Sequence, residues 1–257
     1  MTWDDHVREW SQPPVDDVGY LSSADLMIMG DTQLNLTILQ MAQTRYQGWR
    51  NHAGLWREML KLDDTHGKHI LDFGCGVGME ARELQEAGNR VDLADLSMSN
   101  LELAARVLAL GDHAPDEEVV CHLVTDQEPY FEADASFDVI HCSGVLHHIP
   151  WARKIMERFH QLLRPGGEVR LMLYSDKGWT IATGTDVPTW RDTQHHPKFD
   201  QFVRFFDSVG TYADWYDLNK IYGWFGDLFS VDDFSYITED YRYCVAVLTK
   251  KGNAWEM

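Results

Sequence analysis

A chain of 257 residues, 44% of them hydrophobic, suffices for one sizeable α/β domain with additions and can pack a core, which excludes wholesale disorder. Its 22 basic and 41 acidic residues leave a formal charge of −19, the wrong field for nucleic-acid phosphates or an anionic membrane. The surplus reads most simply as a solubilising surface.

Residues 1–68 read as helical and carry Trp3, Trp10, Tyr20, Tyr46, Trp49 and Trp56, with Pro13-Pro14 breaking any early helix. Apolar residues recur at helical spacing from about Leu34 to Lys61. At His69 the texture changes. Strands are expected at His69–Phe73, Arg90–Ala94, Val119–Val124, Phe137–Cys142 and Glu168–Tyr174. Helices are expected between them at Met79–Ala87, Asn100–Leu110 and Trp151–Leu163, the last stopped by Arg164-Pro165-Gly166-Gly167. Such alternation predicts parallel strands joined by crossovers, hence a doubly wound sheet. It stops at residue 175. Residues 175–228 form an aromatic-rich insert with helical patches near Phe199–Val209 and Tyr212–Trp224. Phe229–Tyr236 and Arg242–Thr249 then read as a hairpin that completes a mostly parallel seven-stranded sheet. The expected organisation is an N-terminal helical lid, 1–68, and an α/β domain, 69–257, whose 175–228 insert acts as a cap.

Cys75, Cys121, Cys142 and Cys244 form no C-x-x-C pair and match no zinc spacing, so no metal is expected. The start, Met-Thr-Trp-Asp-Asp-His, lacks the basic and apolar segments of a signal peptide, and no uncharged apolar run would span a bilayer. A reducing cytoplasm is the expected location.

The chemistry centres on Leu71-Asp72-Phe73-Gly74-Cys75-Gly76-Val77-Gly78, which leaves a strand and enters a helix. Glycines there let a ligand approach the backbone. Asp95 follows Gly76 by 19 residues and ends the second strand, placed to accept from two ribose hydroxyls. Together they predict an adenosine-containing ligand. A nicotinamide dinucleotide would favour G-x-G-x-x-G, but Met79 stands where the last glycine belongs. Asp72 would repel a pyrophosphate and suits an ammonium group.

Five motifs in register over about 100 residues resemble the class I methyltransferases that use S-adenosylmethionine (SAM). They are the glycine segment, Val91–Ser97, Asp126-Gln127 twelve residues before Asp138, Val145-Leu146-His147-His148-Ile149, and Leu162–Gly167. The resemblance implies that Gly74, Cys75, Gly76 and Gly78 wall the methionine end, and that Asp95 holds the ribose. Asp126 would read the adenine amino group and Gln127 would offer its backbone N–H to the ring. Asp72 would order the loop or meet the amino group through water. Leu96 and Ser143 complete the implied cofactor set.

The acceptor side is less specific. His147 and His148 could act as a base or only cap and pack. His195, beside His196-Pro197, could line the acceptor pocket or sit in a surface loop. Tyr20, Tyr174 and Trp215 are further pocket candidates. The aromatic stripes of the insert could form core, a lid over the acceptor, or a homodimer contact. The leading expectation is methyl transfer to oxygen or nitrogen of a small molecule, with no nucleic-acid or membrane partner. A small thiol acceptor and a non-catalytic SAM-binding regulator are the alternatives.

Overall fold

Short apolar runs become strands where helices cover both faces, and β1 (His69–Phe73), β2 (Arg90–Asp95), β3 (Cys121–Leu123), β4 (Phe137–Ser143) and β5 (Leu163–Tyr174) do so here. The computed structural model describes residues 3–10, 21–47, 54–112, 118–133, 137–190, 192–206 and 212–252. Tyr20, Pro13-Pro14, Trp49, Ser136 and residues 207–209 therefore lie outside the described residues. With β6 (Phe229–Ile237) and β7 (Tyr243–Lys250) the strands form a seven-stranded sheet in the order β3-β2-β1-β4-β5-β7-β6. The first five are parallel, and β7 runs antiparallel to both β5 and β6.

Successive strand residues face opposite ways, so β1 feeds two cores. Leu71 and Phe73 pack with Ile140, Leu171 and Leu248, whereas Ile70 packs with Val91, Val139 and Val245. Helices α5 (Met79–Glu86), α6 (Met98–Ala109) and α7 (Ala152–Leu162) connect the parallel strands. The Arg164–Gly167 stretch, expected to stop the preceding helix, lies within β5. Leu163 pairs with Phe137, and an irregularity between Phe137 and Val139 absorbs the extra residues.

The N-terminal region holds α1 (Trp3–Trp10), α2 (Ser23–Met27), α3 (Asp31–Gln47) and α4 (Leu55–Met59). Leu26, Leu34 and Ile38 pack with Met79, Leu103 and Val107 on the α5–α6 flank. Arg106 fastens this region by donating to the carbonyls of Met27 and Met29 and to Asp31.

The 175–228 region holds α8 (Asp176–Thr183), α9 (Phe199–Phe206) and α10 (Leu218–Phe225). Its aromatics build a small core of their own: Trp179, Phe202, Val203 and Trp215 gather around Tyr174 at the end of β5. The patch expected as helix from Tyr212 is extended up to Asp217, whose carboxylate caps α10 by accepting from the Lys220 N–H. No helix among the described residues is long and apolar enough to cross a membrane.

Candidate functional site

Strand order reverses between β1 and β4, and a crevice outside the carboxyl ends of parallel strands at such a point is where open α/β sheets bind ligands. A cleft of ≈ 290 Å³ lies there. Its walls include Asp72–Val77 at the end of β1 and beyond it, Asp95 and Leu96 at the end of β2, Val124 after β3, and Ser143–Val145 at the end of β4.

The glycine loop is shaped by two different demands. Gly76 has φ +52° and a side chain there would meet nothing within 4 Å, so it keeps the cleft wall bare. Gly78 has φ +77° and serves the fold instead. A Cβ would come within 2.8 Å of the Ala104 backbone, so this glycine lets α5 start against α6. It is not among the residues that line the cleft.

Asp95 is 6% exposed and fixes the loop: its Oδ2 accepts from the Gly76 N–H at 3.0 Å. Its Oδ1 accepts from the Ser97 N–H at 2.9 Å and the Asn100 side chain at 3.2 Å. Burial pushes its pKa up to about 6, against the pull of these donors.

Asp72 and His141 are register partners on β1 and β4, and α5 brings Glu80 onto the same buried spot. His141 Nε2 lies 2.6 Å from Glu80 Oε2, and Arg45 of α3 comes within 3.8 Å of Glu80 Oε1. Burial alone would raise Glu80, but His141, Arg45 and the Ser143 hydroxyl outweigh it and hold the carboxyl below its ordinary value. Burial likewise works against the His141 imidazolium, and Glu80 outweighs it and raises its pKa. Asp72 is pushed up to about 7, by burial first and then by Glu80 and Asp95, with His141 opposing. The result is a buried, acid-rich pocket end with one guanidinium at its edge.

The other expected residues divide. Gly74, Cys75, Leu96 and Ser143 line the cleft, as does His148. Asp126 and Gln127 are exposed on the turn after β3, where Gln127 donates to Thr125 Oγ1 and accepts from the Tyr130 N–H. Only Val124 of that strand end reaches the cleft wall.

Four acceptor candidates stand elsewhere. Tyr174 and Trp215 belong to the insert's core, and His195 is exposed on a 3₁₀ turn. His147 is buried, stacked on Tyr174 at 3.7 Å, and neither ring nitrogen has a hydrogen-bond partner among the described residues. Burial, with His148 adjacent, drives its pKa well below the ordinary value and keeps it neutral. The 175–228 insert thus contributes no described residue to the cleft wall, because its aromatics are spent on their own core.

Residues not expected as site residues from the sequence supply the rest of the wall: Trp3 and Trp10 of α1, Arg45, Trp56, Glu80, Asn100, Ile149 and Trp151 among them. Trp3 and Trp10 stand seven apart, a same-face helical spacing that was readable. Arg45 and Glu80 carry no local pattern, since only the packing of α3 on α5 brings them together. Among the described residues no group of three His, Cys, Asp or Glu is placed to hold a metal.

Comparison with known proteins agrees with this geometry. A family described as "Methyltransferase domain" matches residues 71–169. A ubiquinone biosynthesis O-methyltransferase of Idiomarina loihiensis is 30% identical over 144 residues, covering 53% of this chain and 57% of that protein. Phosphoethanolamine N-methyltransferase 2 of Caenorhabditis elegans is 34% identical over 132 residues, covering 49% of this chain and 29% of that protein. The match therefore spans little over half of the first relative and under a third of the second. The N-methyltransferase NodS from Bradyrhizobium japonicum, solved with S-adenosyl-L-homocysteine, has the same fold. Its TM-score is 0.55 at 12% identity, over 85% of this chain and 98% of that one.

Proposed function

Through residues 71–169 the chain belongs to the class I SAM-dependent methyltransferases, and from that premise we propose that it moves a methyl group from SAM to an oxygen or nitrogen of a small molecule. One observation carries the cofactor half: a buried Asp95 bonded to the glycine-loop N–H of Gly76, at the crevice where strand order reverses. That carboxylate is the natural acceptor for ribose hydroxyls. Asp72 and Glu80 suit a bound ammonium group, Arg45 suits a carboxylate, and Leu96 and Val124 offer apolar surface to a purine. The residues present fit the group.

When bound, SAM supplies an electrophilic methyl on a sulfonium. The protein's part is to orient the acceptor, exclude water and take a proton. A histidine on the cleft wall, His148, favours an acceptor that needs help to lose its proton, a hydroxyl or an ammonium group, over a small thiol that ionises more readily by itself. The acid-rich wall and the −19 charge disfavour a nucleic-acid acceptor.

Calorimetry with S-adenosylhomocysteine tests the cofactor half. Asp95→Asn should weaken binding by roughly 2–4 kcal/mol, because it removes charge-assisted bonds to the ribose. The circular dichroism spectrum should stay as in the parent. Unchanged affinity would take Asp95 out of the site. NADH should neither bind nor raise the melting temperature. A screen of hydroxyl and amine acceptors, scored by S-adenosylhomocysteine formation, tests the other half.

A further inference from the structure

Helix α3 is built in two faces. Leu34 and Ile38 pack into the core beside α5 and α6, and Arg45, on the same side, reaches the cleft wall. The opposite face meets solvent: Leu36 is 63% exposed and Leu39 46%. Thr32, Gln33, Gln40 and Gln43 are exposed with them. From Thr32 to Thr44 the chain holds no ionisable residue, although a quarter of the whole sequence is charged. The charges at both ends of this strip are paired. Asp31, at its start, meets Arg106 at 2.6 Å, and Arg45, beyond its end, turns inward to Glu80 at 3.8 Å. Ile28, 86% exposed, adds an apolar group at the border. It stands one residue before Met29, whose sulfur accepts from the Thr37 hydroxyl at 3.7 Å.

The spacing along the exposed face says what fits it. Thr32, Leu36, Leu39 and Gln43 follow one another by four, three and four residues, the stripe of a helix that seats a second helix along it. The stripe reads alike from either end, with two leucines at the centre and a polar residue four positions outside each. A twofold axis between positions 37 and 38 sets an antiparallel copy so that Leu36 meets the partner's Leu39 and Thr32 meets the partner's Gln43. Such reciprocity is the condition for an isologous interface. The positions beside the stripe, Gln33, Asn35, Gln40 and Ala42, carry no charge that would repel a second copy. Net charge points the same way. Two molecules of formal charge −19 repel one another over most of their surfaces, and an uncharged strip is where they can approach.

We propose that two copies of this chain associate through α3, packed antiparallel along Thr32, Leu36, Leu39 and Gln43. The uncharged strip is about 20 Å of helix, which buries less than a standard interface, so the dimer is weak and exchanges with monomer. The net charge opposes it, and salt strengthens it.

Sedimentation equilibrium of the full chain tests this. Between about 1 µM and about 300 µM protein it should show monomer and dimer in equilibrium, with more dimer as KCl is raised from about 0.1 M to about 0.5 M. Leu36→Glu, and separately Leu39→Glu, should weaken association roughly tenfold or more by placing like charges beside the axis. The circular dichroism spectrum should stay as in the parent, because both side chains are exposed. The double variant Leu36→Glu with Leu39→Arg should regain association, since antiparallel packing sets each introduced acid against the partner's introduced base. A chain that stays monomeric over the whole range overturns the proposal. So does a dimer that survives Leu36→Glu undiminished, which places the contact on another face. A double variant no better than the single ones overturns the antiparallel pairing.

Discussion

Asp95 and Asp72 are carboxylates held in their folded surroundings well above their ordinary pKa, at about 6 and about 7. For an acid the sign of this shift is unfavourable to the ionised fold. Between the ordinary carboxylate value and about pH 6 the folded chain keeps the Asp95 proton that the unfolded chain has lost, so its contribution to stability falls as pH rises through that window. A ligand whose hydroxyls donate to Asp95 selects the ionised form. S-Adenosylhomocysteine affinity should therefore drop as pH is lowered through about 6, with the logarithm of the binding constant falling by up to about one per pH unit for each proton released. Calorimetry between about pH 5 and about pH 8 measures that slope, and Asp95→Asn should flatten it. A pH-independent affinity would mean that neither carboxylate titrates with binding. Asp95 was legible because its distance from the glycine loop is set by one strand–helix–strand unit. The distinction between His147 and His148 was not, because it depends on tertiary contacts such as the Tyr212 carbonyl at His148 and the Tyr174 ring stacked on His147.

Between elements the sharpest constraint is the start of α5. Gly78→Ala should cost roughly 2–4 kcal/mol in urea unfolding, since a left-handed backbone and contact with Ala104 combine. Gly76→Ala should cost about 1 kcal/mol in stability and act mainly on cofactor affinity, because its Cβ enters open cleft rather than packed helix. If both variants lose stability alike, the division of labour within the loop is wrong. Hydrogen exchange gives a second test. On S-adenosylhomocysteine binding, α1 should gain protection, because Trp3 and Trp10 line the cleft, while α8 and α9 should not. Equal gains in both would restore the insert to a covering role. The parallel strands were readable because burial on both faces makes them short unbroken apolar runs. The role of the insert stayed open because an aromatic stripe shows only that a face is buried, not what buries it. Helix α8 went unseen although Ser175 caps its start and Gly184 its end.

Across the whole molecule, 41 acidic residues against 22 basic ones leave many carboxylates facing one another through solvent. Several of the cations are also committed inward: Arg170 is 5% exposed, and Lys220 is 1% exposed with its ammonium 2.7 Å from Asp214. Surface repulsion of this kind is screened by salt. The melting temperature should rise as KCl is increased from about 0.1 M to about 1 M, read by scanning calorimetry. A flat or falling curve would show that local ion pairs such as Arg153 with Asp227 and Glu157 outweigh the net field.

The carbonyl of Tyr212 reaches His148 from behind the cleft, and the last described residue on the cleft wall is Met172. The described residues after it therefore stand behind that wall, and one of them acts on the reaction as a rudder. Substitutions in the described stretch 212–217 that move the Tyr212 carbonyl would swing the imidazole without touching a described group of the cleft wall. Acceptor preference and cofactor affinity are thereby steerable separately, and diversification of that stretch offers a route to new acceptors at constant SAM binding.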